Sequence, residues 1–237
     1  MPAASLRAAV GFLTRVPVGR VEAADVARGA VAFPLVGAGI GAVAAGVALL
    51  VHPPLSAPVA AALAVAAGTV LTGALHLDAL ADTADAVGAS TRERALEVMR
   101  DSRIGSFGAA ALGLDLVLRV TVVAQLLGGS LLGPLIAAGA LSRGGSVALA
   151  AVLPYAREGD SVLSRRWSSF AAAGVAIVIA AVALRTEAVA VIGSVAILTV
   201  VLGGLYRRWL GGVTGDALGA TSELTELTAL LVAAALQ

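Results

Sequence analysis

The sequence predicts an all-α integral membrane protein: a polytopic helical bundle of about seven transmembrane or re-entrant helices, with its N-terminus in the cytoplasm. Three observations predict it. Hydrophobic residues fill 59% of the 237 positions and charged residues only 13%, whereas a soluble domain averages about 25% charged. Apolar runs recur at the length of roughly 20 residues that a helix needs to cross hydrocarbon. The arginines gather in alternate connections between those runs, as the excess of positive charge on cytoplasmic loops requires.

The elements follow in order. Residues 1–30 are broken by Arg7, Arg15, Pro17, Arg20, Glu22, Asp25 and Arg28, so they read as a cytoplasmic or interfacial segment rather than a signal peptide, with an amphipathic helix at 6–16. Apolar spans are predicted at 33–51, 57–76, 106–127, 131–153, 169–185 and 187–205, with a shorter one at 224–236. Alanine and glycine inside the runs suit close helix packing in lipid. Arg7, Arg15, Arg20 and Arg28 precede the first span; Arg92, Arg94, Arg100 and Arg103 separate the second from the third. Arg157, Arg165 and Arg166 follow the fourth, and Arg207 and Arg208 the sixth. The opposite connections 52–56 and 128–130 carry no arginine, and 185–187 carries only Arg185. No composition break or repeat divides the chain, which reads as a single polytopic domain, 1–237. Two cytoplasmic segments stand out: 77–105, rich in acids and arginines, and 209–226, rich in glycine and acids.

Composition also excludes chemistry. There is no cysteine, hence no disulfide and no thiolate metal site. Two histidines are too few for a histidine-rich zinc or haem site. All sixteen basic residues are arginine, which removes a Schiff-base lysine, and a net charge of +1 leaves no nucleic-acid partner.

The densest signal is HLDALADTAD, residues 76–85. On a helix, Asp78, Asp82 and Asp85 stand at i, i+4 and i+7 and share one face. Three carboxylates at a membrane edge repel one another unless a cation sits among them, and a hard divalent metal such as Mg²⁺ suits oxygen donors. The competing reading is a solvated acidic face after a span. A second constellation is MRDSRIGSFG, residues 99–108, where Arg100 and Arg103 flank Asp101 and Ser102 ahead of a helix N-terminus. Two guanidiniums beside a hydroxyl suit a phosphate or diphosphate, although an ordinary head-group contact has the same composition.

The third constellation is GGVTGDALGATSELTE, residues 211–226. Asp216, Glu223 and Glu226 recur on one helical face among glycines that allow close backbone approach. A plainer reading makes Thr221 or Ser222 the N-cap of the last helix, with both glutamates in its first turns. Two more charges, Asp115 and Arg119, fall inside the third span at i, i+4 and read first as a mutually neutralised pair; Arg143, in the fourth span, has no local partner and therefore seeks a carboxylate or a phosphate. Carboxylates for a metal, arginines for phosphate and a membrane frame together point to phosphoryl-group transfer at the cytoplasmic face. Two other classes share parts of this pattern. A CDP-alcohol phosphotransferase acting on lipids would need the D-G-x-x-A-R signature, absent here, and an ion-coupled transporter would use Asp115, Arg119 and Arg143 as its pathway.

Taken in sequence order, GFLTRVPV at 11–18, FPLVG at 33–37, GALHLDALADTAD at 73–85, RERALEVMRDSRIGSFG at 92–108, LSR at 141–143 and the 211–226 stretch resemble the cobalamin synthase family, the adenosylcobinamide-GDP ribazoletransferases. Ala79 and Ala86 stand where that family's pattern suggests glycine. The resemblance implies that a ribose hydroxyl of α-ribazole, or of its 5′-phosphate, attacks the cobinamide-linked phosphorus of adenosylcobinamide-GDP. GMP leaves, with Mg²⁺ as cofactor, in the cytoplasmic membrane (the inner membrane) of a prokaryote. Placed on these positions, Asp78, Asp82, Asp85 and Asp216 become metal ligands, with Asp85, Asp82 or Asp101 as catalytic base. Arg100, Ser102, Arg103 and Arg143 become the phosphate-binding set, and His76, Glu223 and Glu226 are further candidates. Beyond the two substrates and the bilayer, the expected partners are further copies of the chain or other enzymes of cobalamin assembly.

Overall fold

The computed structural model describes residues 3–157 and 166–237; Arg165 and the side chain of Arg166, counted above with the cytoplasmic arginines, lie outside them. The helices are α1 (Ala3–Leu13), α2 (Ala23–Gly29), α3 (Phe33–Val51), α4 (Ala57–Thr72), α5 (Leu75–Ala86), α6 (Arg92–Val98), α7 (Ser106–Leu126), α8 (Leu132–Val152), α9 (Arg166–Leu184), α10 (Ala188–Trp209) and α11 (Gly215–Ala235). Among the described residues there is no strand, only an isolated bridge between Tyr155 and Val213. The chain is a multi-pass membrane protein. Five described stretches are long and apolar enough to cross a bilayer, or six if the bent pair α4 and α5 counts as one span.

Small residues decide how the helices pack. A Cβ at Gly37 would overlap the Gly139 carbonyl, and one at Gly41 the Leu135 carbonyl, so α3 crosses α8 backbone to backbone and antiparallel to it. Gly133 meets Ala183 and Gly144 meets Ala176, which sets α9 antiparallel to α8 as well. Gly145 meets Thr199 and Gly203 meets Leu149, which sets α10 parallel to α8. The apolar stretch Ser168–Trp209, one of the five, therefore doubles back on itself at Arg185, whose φ is +54°. Helices α8 and α11 form the interior, each 72% buried along its apolar window, against 28% for α7.

These directions gather one end of the bundle. The N-terminal ends of α3, α7 and α11 meet the C-terminal ends of α4, α8 and α10 there, with α1, α2, α5 and α6 beside them. At the opposite end Gln237 bonds both backbone groups of Ser130, at 2.8 and 2.9 Å.

Two expected boundaries are corrected. The second span stops at Thr72 rather than 76, because Gly73 (φ +63°) and Ala74 (φ +60°) adopt left-handed backbone and turn α5 by 90° against α4. The last helix begins at Gly215 rather than near 224, capped by Thr214, whose Oγ1 accepts the Ala217 N–H at 3.0 Å. Thr221 and Ser222 are therefore buried mid-helix residues and not caps, and Glu223 and Glu226 are engaged in ion pairs within the bundle.

Candidate active site

Helix α5 lies across the gathered end, packed between α11 and α7. Its crossing with α11 is tight: a Cβ at Gly219 would overlap that of Ala79. Alanine at 79 is accommodated because its partner on α11 has no side chain. This crossing brings His76 and Asp78 of α5 to the same cavity as Asp216 of α11 and Arg143 of α8, an opening of about 230 Å³. Phe12, Phe33, Leu75 and Leu218 line it as well.

Asp82 sits one turn beyond Asp78. Partial burial and the neighbouring carboxylates of Asp78, Asp216 and Asp85 push its pKa up to about 6, against the pull of Arg157. Four acids from two distant segments thus share one field. Arg157 also holds Asp216 directly, Nη2 to Oδ2 at 2.7 Å. The sequence carried no sign of that pair, whose members lie 59 positions apart.

Asp85 has a different environment. Its carboxylate accepts the Gly105 N–H at 2.7 Å and the Gly108 N–H at 2.8 Å, closing the N-terminus of α7. A Cβ at either glycine would overlap the carboxylate, which explains both glycines of GSFG. Asp101 is bound by Arg103, Nη2 to Oδ2 at 2.6 Å and Nε to Oδ1 at 3.0 Å, and this guanidinium holds its pKa down to about 2. Arg100 lines a separate outer cleft with Glu93, Glu97 and Arg157, while Ser102 and Arg103 are exposed. The structure therefore unites His76, Asp78, Asp216 and Arg143 with Asp82 close by, and leaves Arg100, Asp101, Ser102 and Arg103 on a neighbouring loop. Among the described residues no three acidic or histidine side chains stand close enough to hold a metal by themselves.

Below the cavity lies a buried ionic network. Arg119 bonds Asp115 at 2.7 Å, Glu226 at 2.9 Å, the Glu223 carbonyl at 3.0 Å and the Glu223 carboxylate. Arg143 bonds the Glu226 carboxylate and the Ser142 hydroxyl, and its Nη2 lies 3.4 Å from His76 Nδ1. The Asp115–Arg119 pair expected from its spacing is present, but it is one edge of a network of three acids and two arginines. Arg143 finds a carboxylate and still faces the cavity.

Comparison with known proteins covers almost the whole chain. The sequence pattern of the cobalamin-5-phosphate synthase family matches residues 5–234. The adenosylcobinamide-GDP ribazoletransferase of Klebsiella pneumoniae subsp. pneumoniae is 41% identical over 243 residues, spanning 96% of this chain and 98% of that protein. Its Escherichia coli counterpart is 39% identical, spanning 94% of this chain and 96% of its own. No solved structure matches.

Proposed function

Because the chain belongs to the cobalamin-5-phosphate synthase family, we propose that it is an adenosylcobinamide-GDP ribazoletransferase, whose reaction runs at the cavity between α5, α8 and α11. The enzyme joins the phosphocobinamide part of adenosylcobinamide-GDP to a ribose hydroxyl of α-ribazole or its 5′-phosphate and releases GMP. One observation carries the assignment of the site: acids from α5 and α11 meet Arg143 and His76 on a single opening. The carrier and lipid-transferase readings have no such support.

The donor set fits Mg²⁺. Asp78, Asp82 and Asp216 offer hard oxygens, and the carboxylates of Asp78, Asp216 and Asp85 add to burial in raising the proton affinity of Asp82. Mg²⁺ usually takes only one or two carboxylates and completes its shell with water and substrate phosphate, so no closed protein cage is required. Asp78 and Asp216 would hold it, and there it would offset charge on the phosphoryl oxygens and the departing phosphate.

Asp82 is the base. With a pKa near 6 it is ionised at neutral pH yet retains proton affinity, whereas Asp101 is held near 2 and Asp85 is engaged by two amides. The ribose oxygen bonds to the cobinamide-bearing phosphorus as the bond from that phosphorus to the bridging oxygen breaks. The hydroxyl proton passes to Asp82, and the bridging oxygen leaves on GMP. Arg143, which lines the cavity, orients the diphosphate.

The site faces the cytoplasm of the cell membrane. Arg7, Arg15, Arg20, Arg28, Arg92, Arg94, Arg100 and Arg103 all lie in segments at the site end, against Arg185 at the other. The experiment is GMP release by the purified protein in lipid, from adenosylcobinamide-GDP and α-ribazole. Release that needs α-ribazole and Mg²⁺ and is lost in Asp82→Asn supports the reading; no release from folded wild-type protein overturns it.

A further inference from the structure

The GFLTRVPV and FPLVG stretches place no acid or arginine in the cavity, yet each places one ring there. Phe12, near the end of α1, and Phe33, which opens α3, stack with centroids 5.5 Å apart and planes 16° from parallel. Phe33 is 2% exposed and Phe12 43%, so Phe33 backs the pair while Phe12 presents an open face. Both line the cavity that holds Asp78, Asp216, His76 and Arg143, and Leu13, Leu75 and Leu218 line it too. One opening thus combines charged side chains with a stacked aromatic pair.

We propose that the Phe12–Phe33 wall is the subsite for the flat base of α-ribazole, which stacks on Phe12 while its ribose reaches the carboxylates. The proposal rests on the transferase reading above. Two flat bases take part in that reaction, and the chemistry of the wall separates them. Guanine has an edge of donors and acceptors that leucine and phenylalanine would leave unpaired at a cost. Dimethylbenzimidazole, the base of α-ribazole, is an apolar bicycle with a single ring-nitrogen acceptor, suited to an aromatic face. Reach agrees: the attacking hydroxyl belongs to the ribose bonded directly to that base, so its subsite must adjoin the base and metal carboxylates. Guanine is separated from the reacting phosphorus by a ribose and a further phosphate.

The test varies both substrates in the GMP-release assay and measures α-ribazole binding by equilibrium dialysis, with wild type, Phe12→Ala, Phe12→Leu and Phe12→Trp. Losing an aromatic stacking partner should raise KM and Kd for α-ribazole about tenfold or more in Phe12→Ala. KM for adenosylcobinamide-GDP should not move, and Phe12→Trp should stay near wild type. If alanine prevents folding, Phe12→Leu keeps the bulk, loses the ring and should show the same selective shift. A shift confined to adenosylcobinamide-GDP would assign the wall to guanine and overturn the proposal. Unchanged constants for both substrates would make Phe12 a bilayer contact and overturn it equally. Wild-type protein that releases no GMP would fail the transferase reading itself, and dialysis would then judge the subsite: α-ribazole binding weakened by Phe12→Ala sustains it, and equal or absent binding in both proteins ends it.

Discussion

Asp85 and Gly108 are fitted to each other: the Asp85 carboxylate accepts the Gly108 N–H at 2.8 Å, and any Cβ on Gly108 would overlap that carboxylate. The contact joins the acidic helix α5 to the start of α7, and thereby to the loop that carries Arg100 and Arg103. Gly108→Ala should force α5 and α7 apart, because the Ala81 backbone carbonyl stands only 3.0 Å from the new Cβ. Overpacking of this kind costs about 1–3 kcal/mol, readable as a lowered thermal midpoint in detergent, with activity falling further than stability alone explains. An unchanged midpoint would mean that the α5–α7 junction is loose.

Asp82 should set the acid limb of the rate profile. A base must be ionised, so with the pKa raised to about 6 the rate should fall as pH drops through about 6, and excess Mg²⁺ should move that inflection lower by favouring the ionised form. Stability has the opposite sign. The folded protein binds the Asp82 proton more tightly than the unfolded chain, so this group penalises folding above about pH 6 and stops doing so below about pH 4. Asp82→Asn should therefore raise the midpoint of metal-free protein at pH 8, leave it unchanged near pH 4, and abolish turnover. A variant that loses stability at pH 8 would contradict the crowded-carboxylate picture.

Much of this arrangement was legible before any fold was known, and the rest was hidden for physical reasons. Apolar runs located α3, α7, α8, α9 and α10 because a helix that crosses hydrocarbon must be predominantly apolar over about 20 residues. Helix α4 ends four residues before the predicted boundary: Gly73 hints at a break, but Ala74 at φ +60° leaves no mark in a sequence. The start of α11 was hidden because GDALGATS has the composition of a loop. Its small residues are needed for the approach to α5 at Ala79 and Gly219. Asp115 and Arg119 could be paired from spacing alone, whereas Arg119–Glu223 and Arg157–Asp216 join residues 104 and 59 positions apart. Phe12 and Phe33 looked like two ordinary apolar residues until the fold stacked them.

The network under the cavity should prove costly to open. Glu226 receives both Arg119 and Arg143, so Glu226→Ala strips a partner from two buried guanidiniums at once. Removing one member of a buried ion pair costs about 3–5 kcal/mol. Glu226→Gln, which keeps acceptor and shape, should cost clearly less. Equal losses in the two variants would show that the charge of Glu226, which both remove, accounts for the whole cost and its acceptor and shape for none of it.

Arg157 should restrain the metal site rather than build it. Its guanidinium holds Asp216 at 2.7 Å and lowers the proton affinity of Asp82, so in the metal-free protein it occupies a carboxylate that Mg²⁺ would use. Arg157→Ala should leave Asp216 unpaired and deepen the negative potential at the cavity mouth. The Mg²⁺ concentration for half-maximal activity should then fall several-fold, while the acid inflection of the rate at limiting metal moves upward, because the cation that opposed protonation of Asp82 is gone. Arg157→Lys should stay closer to wild type by preserving the charge. If Arg157→Ala instead needs more Mg²⁺, the guanidinium is holding Asp216 in its metal-binding position, and the order of events at the site is reversed: the ion pair then prepares Asp216 for the metal instead of competing with it.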